Sequence, residues 1–113
     1  MSARLLPALL LIGCLPAQAG FDTGNRLYED CRSPNYFNRG YCGGYVTGII
    51  DTIESLQSRG VLPADALCIP EASTKGQLVD VVLKYLEQHP ERRHLESGAV
   101  VPEALNLAFP CKR

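Results

Sequence analysis

The fold is decided by residues 41–58, which read YCGGYVTGIIDTIESLQS. Apolar side chains recur in this stretch at intervals of about three and four residues, at Tyr41, Tyr45, Val46, Ile49, Ile50, Ile53 and Leu56. Such spacing places them on one side of an α-helix, whereas a half-buried strand would alternate apolar and polar residues. Polar residues occupy the other side, and Gly60 follows as a stop signal. The stretch predicts an amphipathic helix from Tyr41 to Ser58.

Three glycines, Gly43, Gly44 and Gly48, lie within this predicted helix. Each of them weakens a helix by about 1 kcal/mol relative to alanine. Their presence predicts that another backbone approaches the helix closely at these positions.

Two further helices are predicted on either side of the long one. Thr23 is a suitable N-cap for a short helix from Gly24 to about Cys31. Thr74 and Gln77 have the spacing of a capping box, and the helix that they begin is ended by Pro90. Both segments carry apolar residues at helical spacing, so each can contribute one face to a core.

The segments between these helices are predicted to be connections. Residues 32–40 contain the turn-forming residues Ser33-Pro34-Asn35 and are predicted to form a loop. Residues 61–72 contain two prolines, which leave room for one helical turn at most. Residues 91–97 are mostly polar and are predicted to form a third loop.

The last helix is predicted within residues 99–109, where Pro102 allows two interpretations. Either the helix begins near Val101 with the proline in its first turn, or it begins earlier and kinks at the proline. No segment of the sequence shows the alternation or the hairpin signal of a strand. The sequence therefore predicts an all-α fold, a small bundle of three to four short helices.

The first 19 residues have the pattern of a secretory signal peptide. Arg4 precedes an apolar run, and Ala17-Gln18-Ala19 supplies small residues before a cleavage site. Cleavage there leaves a single domain of residues 20–113. A rival interpretation is a lipoprotein signal, in which Cys14 is acylated and becomes a lipid anchor. Either route exports the chain, so we expect the mature domain to fold in an oxidising space, where disulfides form.

Four cysteines remain after either kind of processing: Cys31, Cys42, Cys68 and Cys111. An even number in a short exported domain is typical of two disulfides, for which three pairings exist. We favour the local pairing, because its first bond joins neighbouring elements across a short loop and its second fastens the C-terminus to the middle of the chain. That pairing is Cys31 with Cys42 and Cys68 with Cys111. The alternative, a zinc site, is disfavoured because the sequence contains no Cys-x-x-Cys pair.

Composition excludes several classes of protein. The 113 residues include 11 Lys and Arg against 12 Asp and Glu, a balance that is unlike that of a basic nucleic-acid-binding protein. No apolar run reaches the roughly 18 residues that a membrane-spanning helix needs. The five tyrosines are of a type that is favoured at interfaces, so a recognition surface is one interpretation. Most of them lie on the predicted core faces, however, and we therefore favour packing inside.

No group of residues has the pattern of a catalytic or metal site. His89 and His94 lie on either side of Pro90, so no helix holds them on one face, and they are expected in a solvated loop. Cys42 beside two glycines resembles a catalytic thiol, but export favours a disulfide there. We therefore expect a binding protein without catalytic activity, metal or cofactor.

Five motifs follow one another along the chain in a recognisable order. They are Cys42-Gly43-Gly44-Tyr45-Val46-Thr47-Gly48, Cys68-Ile69-Pro70, Gln77-Leu78 with Val81-Val82, Tyr85-Leu86-x-x-His89-Pro90-Glu91, and Ala104-Leu105-x-x-Ala108-Phe109-Pro110-Cys111. This order resembles the Rap/Tai family of immunity proteins, which neutralise the peptidoglycan amidases of type VI secretion. The likeness extends from about Gly24 to Cys111, and Pro102 departs from it, because the last helix of the family is uninterrupted there.

The resemblance implies a periplasmic helical protein that binds an amidase from a competing sibling cell and blocks its active-site cleft. It also implies a homodimer and a loop that enters the Cys-His site of the enzyme. That loop corresponds to His89 through Ser97 in this chain.

Individual roles in that loop follow from its charges. Glu96, and next Glu91, are expected to place a carboxylate beside the catalytic imidazolium, where it forms a charge-assisted hydrogen bond. Arg92 and Arg93 are expected to pair with acidic residues on the rim of the enzyme, and His94 belongs to the same surface. The alternative function is that of a periplasmic chaperone or envelope structural protein without an amidase partner.

Overall fold

The computed structural model describes residues 20–112 and the single residues Ala3, Arg4, Pro7 and Gly13. The predicted signal peptide, including its cleavage site and the alternative acylation site at Cys14, lies mostly outside the described residues. Within the described part, the chain forms four α-helices and one short 3-10 turn. They are α1 (Gly24–Arg32), α2 (Tyr36–Ser58), α3 (Lys75–Gln88), the turn Pro90–Arg92, and α4 (Ser97–Ala108).

The predicted all-α fold is confirmed. No strand occurs among the described residues, and one isolated antiparallel bridge joins Thr23 to Glu96. None of the helices described is long and apolar enough to cross a membrane.

Apolar residues from all four helices meet in one core. The spacing of three and four residues that was seen in the sequence places these side chains on the inward faces, where each contributes about 1.5–3 kcal/mol by leaving water. The apolar residues that are fully enclosed are Leu27 of α1, Val46 of α2, Val82 and Leu86 of α3, and Val100, Val101 and Leu105 of α4.

Both predicted disulfides are present. Cys31–Cys42 joins α1 to α2 within the core, and both of its residues are buried. Cys68–Cys111 joins the connection before α3 to the segment after α4. The C-terminal end of the bundle is thereby fastened to its middle, as the sequence predicted.

Three of the predicted helix ends are confirmed, two by hydrogen bonds and the third by a backbone angle. The Thr23 hydroxyl accepts a bond from the Arg26 amide at 3.3 Å. Thr74 and Gln77 exchange both bonds of a capping box, at 2.8 and 3.2 Å. Gly60 has φ +72°, a left-handed conformation that favours glycine, just after the end of α2.

The prediction of a loop over residues 32–40 was wrong for its second half, because α2 begins at Tyr36. The side chain of Asn35 accepts a hydrogen bond from the Phe37 amide at 2.8 Å and so caps the helix. Asparagine favours both turns and helix starts, so the same residue fits either interpretation of the sequence.

α4 begins at Ser97, which places Pro102 inside the helix rather than in its first turn. The interpretation in which the helix begins near Val101 is therefore wrong. Pro102 has no amide hydrogen to donate to the carbonyl of Gly98, four residues earlier. Gly98 is exposed, so water can bond to that carbonyl instead.

The close approach of another backbone at the glycines of α2 is not found within the described chain. A Cβ added to Gly44 or Gly48 would meet nothing within 4 Å. One added to Gly43 would lie 2.8 Å from Cε of Lys75, which belongs to a flexible side chain rather than to a backbone. Gly44 and Gly48 instead line an open groove between α2 and Gly98.

Candidate functional site

The five residues that were predicted to bind a partner all lie between α3 and α4, in a segment that we call the α3–α4 loop (residues 89–96). Consecutive backbone hydrogen bonds fold it tightly, from the Arg92 amide to the His89 carbonyl at 3.0 Å and from the Leu95 amide to the Arg92 carbonyl at 3.1 Å. A loop with such local bonds presents its side chains from a defined backbone.

Arg92 holds one side of this loop against α4. Its Nε and Nη2 atoms donate hydrogen bonds to the two carboxylate oxygens of Glu103, at 3.1 and 2.8 Å. The hydroxyl of Tyr85 donates a third bond to Glu103, at 2.7 Å. The hydrogen bond from Tyr85 lowers the pKa of Glu103; burial opposes it, and Arg92 adds to the lowering. Glu103 is thus held as a carboxylate that anchors the loop.

Arg93 holds the other side of the loop against α3 and α1. Its guanidinium donates to the carbonyls of Leu86 at 2.6 Å and Glu87 at 3.3 Å, near the C-terminal end of α3. It also lies over the ring of Tyr28 at 4.1 Å, a cation–π contact. Arginine near the end of a helix satisfies carbonyls that lack an intrahelical partner.

Exposure divides the predicted site residues into two groups. Glu91 and His94 are exposed, while Arg92, Arg93 and Glu96 are half-buried. The five residues are neighbours in the chain, but the structure gives them different surroundings. The two arginines are bonded within the chain, and Glu91 is the exposed carboxylate of the loop.

Glu96 lies at the far end of the loop, beside the segment that precedes α1. Its backbone forms the bridge to Thr23, and the Ser97 amide donates to the Asp22 carbonyl at 2.9 Å. Together with residues 20–22 it lines a cleft of about 300 Å³. The Asp22 carboxylate accepts a hydrogen bond from the hydroxyl of Tyr41, and this bond raises the pKa of Tyr41 to about 12.

An exposed aromatic surface, an interpretation that the sequence allowed but did not favour, lies at the start of α2. Tyr36 and Phe37 are 85% and 80% exposed, and Tyr41 is 44% exposed. The expectation that the tyrosines pack inside is therefore wrong for Tyr36 and Tyr41. The interval of four residues between Phe37 and Tyr41 places them on one helical face, but it has this meaning only when residues 36–40 are helical. We call Tyr36, Phe37 and Tyr41 the aromatic surface.

Asp22 connects the aromatic surface to the α3–α4 loop. Its side chain bonds to Tyr41, and its carbonyl bonds to the first residue of α4. Aromatic residues are enriched in the binding sites of proteins, so this combination is typical of an interaction surface. Among the described residues, no three His, Cys, Asp or Glu side chains are grouped to hold a metal ion.

One protein family matches the chain over residues 23–111, and its description is Rap1a immunity proteins. The matched region includes all four helices and both disulfides. No curated protein and no solved structure is significantly similar to the chain.

Proposed function

Since the chain belongs to the family of Rap1a immunity proteins, we propose that it binds and blocks a type VI secreted peptidoglycan amidase in the periplasm and so protects the producing cell. The family match over residues 23–111 carries this proposal. The order of the motifs in the sequence supports the class of target enzyme, because it resembles the order in the Rap/Tai proteins, which act on such amidases. Export by cleavage after Ala19 belongs to the same proposal.

We propose inhibition by binding alone, without catalysis by this chain. The cysteines of the described domain are all joined in disulfides, which leaves none of them as a nucleophile. This supports a binding protein over the alternative of a small thiol hydrolase.

The α3–α4 loop is the proposed contact with the amidase. A Cys-His enzyme has an imidazolium in its active site, and a carboxylate placed beside it forms a charge-assisted hydrogen bond. The sequence favours Glu96 over Glu91 for this role, but Glu96 is half-buried, whereas Glu91 is exposed in a 3-10 turn. We therefore propose Glu91 as the first candidate and Glu96 as the second. Arg92 and Arg93 remain part of the proposed surface, and their bonds to Glu103 and to α3 support the loop in the shape in which it binds.

The aromatic surface is proposed as the flank of the same interface. It continues from the loop through Asp22, so one partner can cover both. Exposed tyrosine and phenylalanine side chains lose little conformational entropy when they are buried by a partner, and tyrosine is a frequent hot-spot residue. The amidase would then be held by the aromatic residues while the loop occupies its cleft.

The proposal is tested with the double variant Glu91→Ala/Glu96→Ala and a Cys-His amidase encoded beside this gene. We expect a decrease in affinity of about 10- to 1000-fold by calorimetry, as is found when charged contacts are removed from an interface, with a parallel loss of inhibition of peptidoglycan cleavage. The control is Glu54→Ala/Glu71→Ala, which removes two exposed carboxylates outside the loop. Equal affinities of the two double variants would show that the loop is not part of the interface. Absence of binding by the wild type would overturn the proposed function.

A further inference from the structure

Gly20 lies directly against the side chain of Glu96. A Cβ added to Gly20 would be 3.6 Å from the Cβ, Cγ and Cδ atoms of Glu96. The backbone nitrogen of Gly20 is bonded to the same Cα as that added atom, so it lies within roughly 6 Å of the Glu96 carboxyl carbon. At this separation two opposite charges interact appreciably.

The position of Gly20 is fixed by the residues that follow it. Thr23 is bridged to Glu96, the Gly24 amide donates to the Leu95 carbonyl at 2.8 Å, and the Ser97 amide donates to Asp22. These bonds fasten residues 22–24 on both sides of Glu96. Only one residue, Phe21, separates Gly20 from the fastened segment, which limits how far its nitrogen can move.

Among the residues that the structure describes, the cleft at this point is lined by two carboxylates and by no Lys or Arg side chain. Asp22, His94 and Glu96 are the titratable residues among those that line it. Within the described part of the chain Glu96 forms no ion pair, and its side chain does not cap α4. Burial raises the pKa of Tyr45, and the charges of Asp22 and Glu96 raise it further. A cation placed beside Glu96 would therefore be favourable.

We propose that signal-peptide cleavage supplies this cation, and that the α-ammonium group of Gly20 pairs with the carboxylate of Glu96 in the mature protein. A signal peptidase adds water across the Ala19–Gly20 amide, so that the hydroxyl goes to the Ala19 carbonyl and a proton to the Gly20 nitrogen. The released amine takes a second proton from solvent. This inference rests on the export step of the proposed function.

The pair gives Glu91 and Glu96 different roles. Glu96 holds the end of the α3–α4 loop to the N-terminus of the mature chain, and Glu91 stays available to a partner. The ion pair would then be added to the backbone bonds of residues 22–24 only after export and cleavage, at the place where the amidase is met.

The test uses the mature protein purified from the periplasm, in which mass spectrometry identifies the first residue. The pKa of the α-amine is measured by NMR titration of glycine-labelled protein. Ordinary α-amines have pKa values of about 7.7–8.0, and we expect a value about 0.5–1 above this range. Glu96→Gln should return it to the ordinary range, while Glu91→Gln should leave it raised.

Other groups near the amine are tested in the same titration. Asp22 and His94 share the cleft, and Tyr41 and Tyr45 lie beyond Asp22. We expect Asp22→Asn and His94→Gln to change the pKa of the α-amine less than Glu96→Gln does. If Glu96→Gln does not fold, acetylation of the Gly20 amine in the wild type provides a second readout, because it removes the same charge pair and should lower the urea midpoint.

An α-amine pKa that is equal in the wild type and in Glu96→Gln would overturn the pair. So would a mature chain that begins at a residue other than Gly20, including an acylated Cys14. The first outcome leaves the proposed function untouched, because amidase binding is measured independently. The second would also remove the proposed cleavage after Ala19, while the proposed binding of an amidase would still be tested separately. If the protein binds the amidase but its α-amine has an ordinary pKa, the proposed function stands and the proposed ion pair is wrong.

Discussion

At the scale of single residues, Glu103 shows how one side chain supports a surface to which it does not itself belong. It accepts hydrogen bonds from Tyr85 of α3 and from Arg92 of the loop, and so joins α3, the loop and α4. The Arg92 and Glu103 side chains are 42% and 34% exposed, so solvent screens their attraction. Glu103 therefore acts mainly by holding the loop in its shape, and it contributes little to the free energy of unfolding.

We expect Glu103→Gln to lower the thermal unfolding midpoint at pH 7 by a few degrees at most, because an amide cannot form the charged pair with Arg92. The pKa of Glu103 is lowered in the folded protein. Its stabilisation is therefore present above the unfolded pKa of about 4.3 and is lost as the pH falls through the folded value.

Circular dichroism melts at pH 7, 5 and 3 check this prediction. The difference between Glu103→Gln and the wild type should shrink towards pH 3. Glu54→Gln, which changes an exposed carboxylate of α2, is the control and should not alter the midpoint. A difference that stays constant over the whole range would contradict the charge pair as its cause.

At the scale of elements, the helix ends that were predicted correctly have local signals. Thr23 and Thr74 cap α1 and α3 with their own side chains, and such caps are visible in sequence. Glu96 precedes α4 but makes no side-chain cap. The start of α4 is fixed instead by the bridge to Thr23 and by the bond from Ser97 to Asp22, which join residues more than 70 positions apart. Such long-range contacts have no local signature.

The same distinction applies to the candidate site. The sequence identified the loop and its charges, because polar residues between two helical patterns are directly visible. It could not assign Arg92 to Glu103 or Arg93 to the end of α3, since those bonds depend on how the helices pack. The aromatic surface was not favoured, because the start of α2 was misplaced and residues 36–40 were assigned to a loop.

Two glycines provide a matched prediction at this scale. A Cβ at Gly24 of α1 would lie 2.9 Å from the Cα and the carbonyl oxygen of Arg93, whereas one at Gly44 of α2 would meet nothing within 4 Å. We expect Gly24→Ala to destabilise the protein by about 1–3 kcal/mol through this clash. Gly44→Ala should stabilise it by about 0.5–1 kcal/mol through its higher helix propensity.

Urea unfolding of both variants measures these changes, and amidase binding adds a second readout. Because the clash would displace the backbone of Arg93, Gly24→Ala should also weaken binding of the proposed amidase partner. A Gly24→Ala variant that is as stable as the wild type, or more stable, would refute the close packing of α1 against the α3–α4 loop.

At the scale of the whole molecule, the two disulfides compensate for a small core. A domain of this size buries a limited fraction of its surface and is only marginally stable. The cross-linked residues are 11 and 43 positions apart. Loop-entropy estimates assign about 3 and about 4 kcal/mol to cross-links of these lengths, against a total stability of typically 5–15 kcal/mol. The fold therefore depends strongly on an oxidising environment.

We expect reduction of both disulfides to lower the urea midpoint greatly and to leave much of the protein unfolded at 37 °C. Cys68→Ser/Cys111→Ser removes only the longer cross-link and should have an intermediate effect. Unfolding of the oxidised, reduced and variant proteins, followed by circular dichroism, distinguishes these cases. A reduced protein that unfolds at the same urea concentration as the oxidised one would show that the core alone is sufficient.

The way in which the α3–α4 loop is anchored also affects how the protein can evolve. Its supports, Tyr28, Tyr85 and Glu103, lie on the helices, whereas Glu91 and His94 face outward and carry none of the described bonds that hold the loop. Substitutions at the two outward positions can therefore change which partner is recognised while the scaffold remains intact. A lineage that meets altered toxins can keep pace by exchanging those side chains, and its folding stability need not decline as its specificity diverges.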